Sequence, residues 1–396
     1  MPTLTRYLRL FQVGERRFVE SLVDERAAEL DGLLHALLRA LARGETAPEK
    51  IARQVGASPD EVQSRIAMLR DLKLVVDCEE TDRNRLRATL SVPSPTPATE
   101  QVELTNACPM QCLMCPRGQG PGPRPVGFMD LGLFRELLPQ IAEAQRALKP
   151  LALHNLGESL LHPRLDEFVQ AATQAGLPTE LSVNPGLLPL ERYVALAAAG
   201  LSRLVLSLDG LDAATLESVR GTGAQGAAAQ GHVAALLEHR ARAPSSSARP
   251  ELIIQMLRMR TNAHQHADFL SRYSRLELPG VSAFLKDLDA NTRGDLRLAG
   301  DAPRPYLCRA PWRTVVVLWD GKVVPCCHDP WGEWILGDLR RQRLDDIWRS
   351  DAAERLRLRL RTGWPSPDGP CGRCAHRPDQ WERPDLDRMP DEPLHW

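Results

Sequence analysis

Cys108, Cys112 and Cys115 stand in the run Asn-Ala-Cys-Pro-Met-Gln-Cys-Leu-Met-Cys-Pro-Arg, residues 106–117. The C-x3-C-x2-C spacing lets one short loop wrap three thiolates around a metal centre. Their number decides the chemistry. A structural zinc ion takes four protein ligands and keeps no open position. A [4Fe–4S] cluster usually takes four cysteines, so one held by three leaves an iron free to bind something else. The competing reading is a zinc knuckle that borrows its fourth ligand from elsewhere in the chain.

A second set lies downstream: Cys308, Cys326, Cys371 and Cys374, with Cys327 beside Cys326. Four thiolates suit either a zinc ribbon or a fully ligated [4Fe–4S] cluster with no iron left open. Between the two sets, the ends of apolar strands carry Gly157-Glu158, Asn184, Ser207 and Asp209. Each can be a strand-terminal cap, and each can also hydrogen-bond a ligand. Lys286 and Asp287 follow another strand and could transfer protons at the mouth of the site. His154, His162 and His328 are near these segments in sequence and read as satisfied polar residues. Gly221, Gly223 and Gly226 match the dinucleotide pattern G-x-G-x-x-G. They follow a helix rather than a strand, which excludes a nicotinamide site.

Together these motifs resemble the radical S-adenosylmethionine superfamily. The cysteine spacing carries the resemblance, helped by Leu156-Gly157-Glu158-Ser159, which is similar to that family's Gly-Gly-Glu-Pro segment. Leu156 and Ser159 depart from that pattern and Glu158 keeps it. The resemblance implies that Cys108, Cys112 and Cys115 hold a [4Fe–4S] cluster whose free iron chelates S-adenosylmethionine. It also implies that Gly157 and Glu158 hold the methionine amino group, with Asn184 and Ser207 at the ribose or carboxylate. Reductive cleavage would then yield a 5′-deoxyadenosyl radical, with the electron coming from an external donor such as flavodoxin or ferredoxin. Cys308, Gly321 and Cys326 fit C-x(9–15)-G-x4-C, which resembles the SPASM extension or its shortened form, twitch. No cysteine follows Cys374. The twitch form is therefore implied, with one auxiliary cluster on Cys308, Cys326, Cys371 and Cys374, making two clusters in all. Cys327 is then a small hydrophobe or an alternative ligand, and Cys78 is structural.

The rest of the chain must position these groups. At 396 residues it can build two or three domains. A net charge of −1 argues against nucleic acid as a partner, and the arginine-rich basic set is read as codon bias. There is no run of 18 apolar residues, no signal-like N-terminus, and nine cysteines point to metal or redox chemistry in the cytoplasm rather than to disulfides.

Residues 1–90 read as an α+β unit: short strands near Tyr7 and Arg17, a helix from Ala27 to Ala42, and helices capped at Thr46 and Ser58. A strand near Leu74 closes a winged-helix pattern. Asp60 and Glu61 would meet phosphate unfavourably if the second helix entered DNA. The pattern resembles the leader-peptide recognition domains of enzymes that modify ribosomal peptides, which bind by strand addition. A purely structural cap is the plainer alternative. Residues 91–101 form a stiff Pro-rich linker. Residues 102–300 alternate strand and helix six times, predicting an α/β fold: an open, partial (β/α)6 TIM barrel with its site at the carboxyl ends of the strands. Residues 301–380 form the cysteine-rich twitch or SPASM-like domain, with a hairpin turning at Asp320-Gly321, and 381–396 are a tail. The loops 116–127 and 242–250 look mobile by composition.

The expected substrate is a ribosomally made peptide that is oxidised or cross-linked. The alternatives are a small metabolite such as an aminocyclitol, dehydrogenated or epimerised, and a zinc-containing winged-helix regulator.

Overall fold

A computed structural model describes residues 3–5, 7–13, 16–21, 23, 26–90, 92–120, 122–144, 150–242, 250–301, 307–361 and 369–376. The chain opens with β1 (Thr3–Leu4) and an antiparallel meander of β2 (Leu8–Val13), β3 (Arg16–Ser21) and β4 (Arg26–Glu29). Helices α1 (Gly32–Ala42), α2 (Pro48–Val55) and α3 (Pro59–Asp71) follow, then β5 (Val75–Val76), paired with β1, and α4 (Glu79–Thr89). Leu34, Leu37, Leu38, Ile51, Val62 and Leu69 give this unit its own core. Tyr7, Val23, Leu86 and Leu90 belong instead to the main core, so the unit is packed on the body of the protein.

Three local expectations change. The helix expected from Ala27 is split, because Ala27 and Ala28 pair with Glu20 and Val19 of β3. Asp31 then caps α1 by accepting the Leu34 N–H at 2.6 Å, fixing the start of the helix at Gly32, just past the strand's end at Glu29. Thr46 does not cap α2: the cap position is Ala47, and Glu45 Oε1 takes the N–H groups of Thr46 and Ala47 instead. Ser58 forms the expected capping box with Glu61. Cys78 is exposed and caps α4, a helix whose polar sequence gave no periodic signal.

The main sheet starts with β6 (Ala98–Val102). It continues through α5 (Leu131–Ala144), β7 (Leu151–Ala152), α6 (Leu165–Gln174), β8 (Thr179–Val183), α7 (Leu190–Ala198) and β9 (Arg203–Ser207). Then come α8 (Ala213–Arg220), α9 (Gly226–Arg242), β10 (Glu251–Leu257), α10 (His266–Tyr273) and β11 (Val281–Lys286). The six strands β6 to β11 lie in sequence order, each parallel to the next, as the six repeats require. The C-terminal region adds α11 (Ala310–Arg313), β12 (Thr314–Val317), β13 (Lys322–Val324) and β14 (Gly337–Asp338). Helices α12 (Leu344–Trp348), α13 (Asp351–Arg361) and α14 (Gly369–Arg373) complete the described chain.

The Asp320-Gly321 turn joins β12 to β13 as expected, with Gly321 at φ +81°. Less expected is that β12 pairs in parallel with β6, giving one nine-stranded sheet in the order β11-β10-β9-β8-β7-β6-β12-β13-β14. Among the described residues the sheet has β11 and β14 as its edges, so the barrel is open. Residues 98–101, expected in the linker, form most of β6. The remaining linker is docked: the Ser94 N–H bonds Trp312 O at 2.8 Å, and Trp348 Nε1 donates to Ser94 O at 2.7 Å. Residues 243–249 of the second expected mobile loop, and the tail 381–396, lie outside the described residues. Among the described residues no helix is long and apolar enough to cross a membrane.

Candidate iron–sulfur and S-adenosylmethionine site

The loop carrying Cys108, Cys112 and Cys115 leaves the carboxyl end of β6. Its backbone is pinned from two sides. The Gln111 N–H bonds Arg220 O, and the Leu113 N–H bonds Val219 O, both at 2.9 Å, fixing the loop against the end of α8. The Glu158 N–H bonds Ala107 O at 2.8 Å from the side of β7. Only glycine fits at two close approaches from outside the loop. A Cβ on Gly157 would lie 2.1 Å from Thr105 O, and one on Gly223 would lie 2.2 Å from Pro109 O. Gly223 belongs to the G-x-G-x-x-G match; it and Gly221 lie against the cysteine loop, and Gly226 packs on Ala213 of α8.

Burial pushes the Cys112 thiol up to about 12, with the charges of Cys115 and Cys108 adding to the rise and Arg220 opposing it. Cys108 is raised mainly by burial as well, with Glu158 and Cys115 contributing and Arg117 opposing. Cys108 and Cys112, held neutral this way, are poor nucleophiles but good prospective ligands, since a bound metal deprotonates its thiols outright. The donor set is sulfur on one short loop, with arginines beside it to balance thiolate charge. That set fits a three-cysteine [4Fe–4S] cluster.

Glu158 lies beside this loop, 3% exposed. Its carboxylate accepts the Asn184 N–H at 2.9 Å and the Leu160 N–H at 3.1 Å. Burial nevertheless raises its pKa to about 7, against those two bonds and the Arg220 charge. The Asn184 carboxamide donates to Ala224 O at 2.7 Å and accepts from the Gly186 N–H, so its side chain braces the loop after α8. Ser207 Oγ lies 3.2 Å from both Ser182 Oγ and Gln255 Nε2, forming a polar row across β8, β9 and β10. Ser182 and Gln255 are interior strand positions that sequence reading passed over.

Two buried ion pairs also escaped it. Arg220 Nε donates to Asp209 Oδ2 at 2.8 Å, and Asp209 is fully buried. Burial works against the Arg220 charge, but Asp209 and Cys112 outweigh it and raise its pKa. Arg124 grips buried Glu103 through both terminal nitrogens, at 2.8 and 2.7 Å, and donates from Nε to Pro330 O. With Asn106 bonded to Pro125 O and to the Gly127 N–H, and Trp331 and Trp319 against Gly122 and Gly127, these contacts anchor the described part of the 116–127 loop. Composition suggested mobility there. Partners from distant segments, invisible to local sequence reading, remove it.

Farther on, the second cysteine set converges. Burial raises Cys308 and Cys326 strongly. The charges acting on Cys308 are those of Cys374, Cys371 and Cys327, and those on Cys326 are Cys327, Cys308 and Cys371. Cys327 also packs against Val316, Leu318 and Val324. At the end of β11, Lys286 adds to the burial that lowers the pKa of His154, and Asp287 is ion-paired to Arg258 Nη1 at 2.8 Å.

An open parallel sheet with a three-thiol loop at its carboxyl end and a thiol-rich extension beside it defines a class of iron–sulfur protein. Residues 102–230 match the Radical SAM superfamily and residues 308–375 match SPASM, an iron-sulfur cluster-binding domain. Residues 102–230 thus form a radical SAM domain and residues 308–375 a SPASM extension, and the cofactors of these two domains are S-adenosylmethionine and [4Fe–4S] clusters. It is 34% identical over 119 residues to the AdoMet-dependent heme synthase of Methanosarcina barkeri, covering 30% of this chain and spanning only a third (33%) of that protein's length. It is 28% identical over 324 residues to the PqqA peptide cyclase of Rhodopseudomonas palustris, covering 71% of this chain and 80% of that one. It is 22% identical over 277 residues to the S-adenosyl-L-methionine-dependent 2-deoxy-scyllo-inosamine dehydrogenase of Niallia circulans, covering 69% and 91%.

Proposed function

We propose that this protein makes a 5′-deoxyadenosyl radical and uses it to oxidise or cross-link a ribosomally made peptide. The observation that carries the radical chemistry is the pinned loop of Cys108, Cys112 and Cys115 lying against buried Glu158. The cluster on those cysteines supplies, when bound, an open iron and the electron that cleaves S-adenosylmethionine. Glu158, as a carboxylate, accepts the ammonium of the methionine moiety. Gly157 brings the backbone close, and Ser207, with Ser182 and Gln255, offers hydroxyl and amide partners to the ribose. Asn184 holds Glu158 through its N–H. The radical takes a hydrogen atom from the substrate. Cys308, Cys326, Cys371 and Cys374 would hold an auxiliary cluster that could accept the second electron as the substrate loses a proton. Lys286 and Asp287 stand at the end of β11 for that proton transfer. Flavodoxin or ferredoxin would supply the first electron, and nine unbridged cysteines suit a reducing cytoplasm.

Because burial raises the Glu158 pKa to about 7, the carboxyl group is protonated below that pH and cannot pair with an ammonium. S-adenosylmethionine binding should weaken about tenfold per pH unit below about 7. Calorimetric titration from pH 5.5 to 8.5 reads this out. Glu158→Gln should bind roughly 10–100-fold more weakly at pH 8 and show a flat profile there. A sloped profile that survives in the variant would remove Glu158 from this role.

The N-terminal meander supports the peptide reading. Among the described residues, its edge strands β2 and β4 each pair only with β3, leaving an edge for strand addition. The similarity to a peptide cyclase agrees with it. Dehydrogenation of a small metabolite is the second reading, favoured by a four-cysteine set with none after Cys374 and by the similarity to an aminocyclitol dehydrogenase. The reduced, cluster-loaded full chain should be incubated anaerobically with short peptides encoded beside its gene. Amide protection in β2 or β4, together with loss of two hydrogens from one peptide, supports the first reading. Peptides left unchanged while 2-deoxy-scyllo-inosamine is oxidised would select the second.

A further inference from the structure

The segment that leaves β11 at Asp287 turns directly onto the auxiliary cysteines. Asn291 Oδ1 accepts the Ala375 N–H at 2.8 Å, which fixes the amide orientation. Its Nδ2 then faces Cys374 Sγ at 3.6 Å and His328 Nδ1 at 3.3 Å. Asp289 Oδ2 lies 3.1 Å from His376 Nε2 and 3.7 Å from His328 Nε2. The His376 N–H reaches Cys374 Sγ at 3.4 Å, and its carbonyl oxygen takes the Cys308 N–H at 3.0 Å. Asp289, His328 and His376 bring their ligand atoms within 4.8 Å of one another, which alone would suit a divalent metal. The hydrogen bonding argues otherwise. With Asn291 donating to Nδ1, the proton of a neutral His328 ring sits on Nε2, facing Asp289, and a metal there would have to expel it.

We propose that Asn291 is a positioning residue that tunes the auxiliary cluster, its amide N–H aimed at the Cys374 sulfur by Ala375 and steadied by the Asp289–His328–His376 array. This rests on the reading that Cys308, Cys326, Cys371 and Cys374 hold that cluster. A hydrogen bond to a ligating sulfur stabilises the charge added on reduction, so it raises the reduction potential. The same stretch starts at Lys286 and Asp287, so it ties the substrate end of β11 to the electron acceptor.

The test is an anaerobic redox titration of the reconstituted full chain, followed by electron paramagnetic resonance with both clusters resolved. In Asn291→Ala, the ratio of reduced to oxidised auxiliary cluster at a fixed potential should fall about tenfold, equivalent to about 59 mV for one electron. The other cluster should titrate as in the wild type. Asn291→Asp keeps the acceptor for Ala375 but turns a negative oxygen toward the sulfur, and should lower the potential further. If Asn291→Ala loses iron, Asn291→Asp gives the reading. Unchanged auxiliary potential at full iron content in either variant overturns the role. About four irons in the wild-type chain would remove the auxiliary cluster itself, and with it both this role and the reading beneath it.

Discussion

Cys112→Ala should abolish 5′-deoxyadenosine formation and lower bound iron from about eight to about four atoms per chain. Cys112 is the most buried of the three thiols on its loop. The charges of Arg220, Cys115 and Cys108 all act on it. Losing its sulfur leaves two ligands, too few to hold a cubane, and an open iron exists only on an assembled cluster. The loop itself should persist, because the bonds of the Gln111 and Leu113 N–H groups to Arg220 and Val219 do not involve the side chain. Removing a small buried sulfur costs about 1 kcal/mol or somewhat more in cavity terms, which a folded domain survives. Iron and sulfide analysis, circular dichroism and chromatographic assay of deoxyadenosine separate loss of the cluster from loss of the fold. Zinc with little iron in the wild-type chain would instead revive the zinc-regulator alternative, and full iron with normal turnover in the variant would sink the assignment.

Replacing Cys371 and Cys374 together by alanine should also halve the iron, to about four, but with a different chemical result. Deoxyadenosine should still form, since the first loop, Glu158 and the strand ends are untouched. Substrate oxidation should stop, because a carbon radical that has lost a hydrogen atom still needs an acceptor for its second electron. The measurement is the ratio of oxidised product to deoxyadenosine, expected near one in the wild type and near zero in the variant. In deuterated buffer, solvent deuterium returned to the substrate would mark radicals quenched without oxidation. Oxidation that stays coupled to deoxyadenosine would exclude the auxiliary set as acceptor.

How far each feature could be read from sequence depended on whether its partners were local. The six strands and their helices appeared because apolar runs and their period are properties of short windows. The cysteine spacing, Ser58 with Glu61, and Asp320-Gly321 are local in the same sense. What stayed hidden was the company each residue keeps. Asn184 looked like a ligand contact at a strand end, yet its carboxamide is taken up by Ala224 O and the Gly186 N–H. Arg220 and Asp209, eleven residues apart, form a buried pair beside Cys112 that nothing in their neighbourhood announced. The boundary drawn at residue 102 fell inside β6, because a polar strand between two neighbours carries little hydrophobic period. Asn291 and Asp289, in an unremarkable polar turn, gained meaning only when Ala375 and His376 were brought against them.

The pairing of β6 with β12 also bears on how the protein is made. In the order of synthesis, the strand that launches the first cysteine loop lacks one of its two neighbours until roughly two hundred further residues have emerged. A nascent chain could therefore close its helical N-terminal unit early, while the catalytic sheet keeps an uncovered flank beside the unfilled thiols. Assembly of the metal centres and completion of the fold would then be late and mutually dependent events. Truncation anywhere before residue 314 should leave a chain that neither finishes its sheet nor retains iron, however intact its first three cysteines.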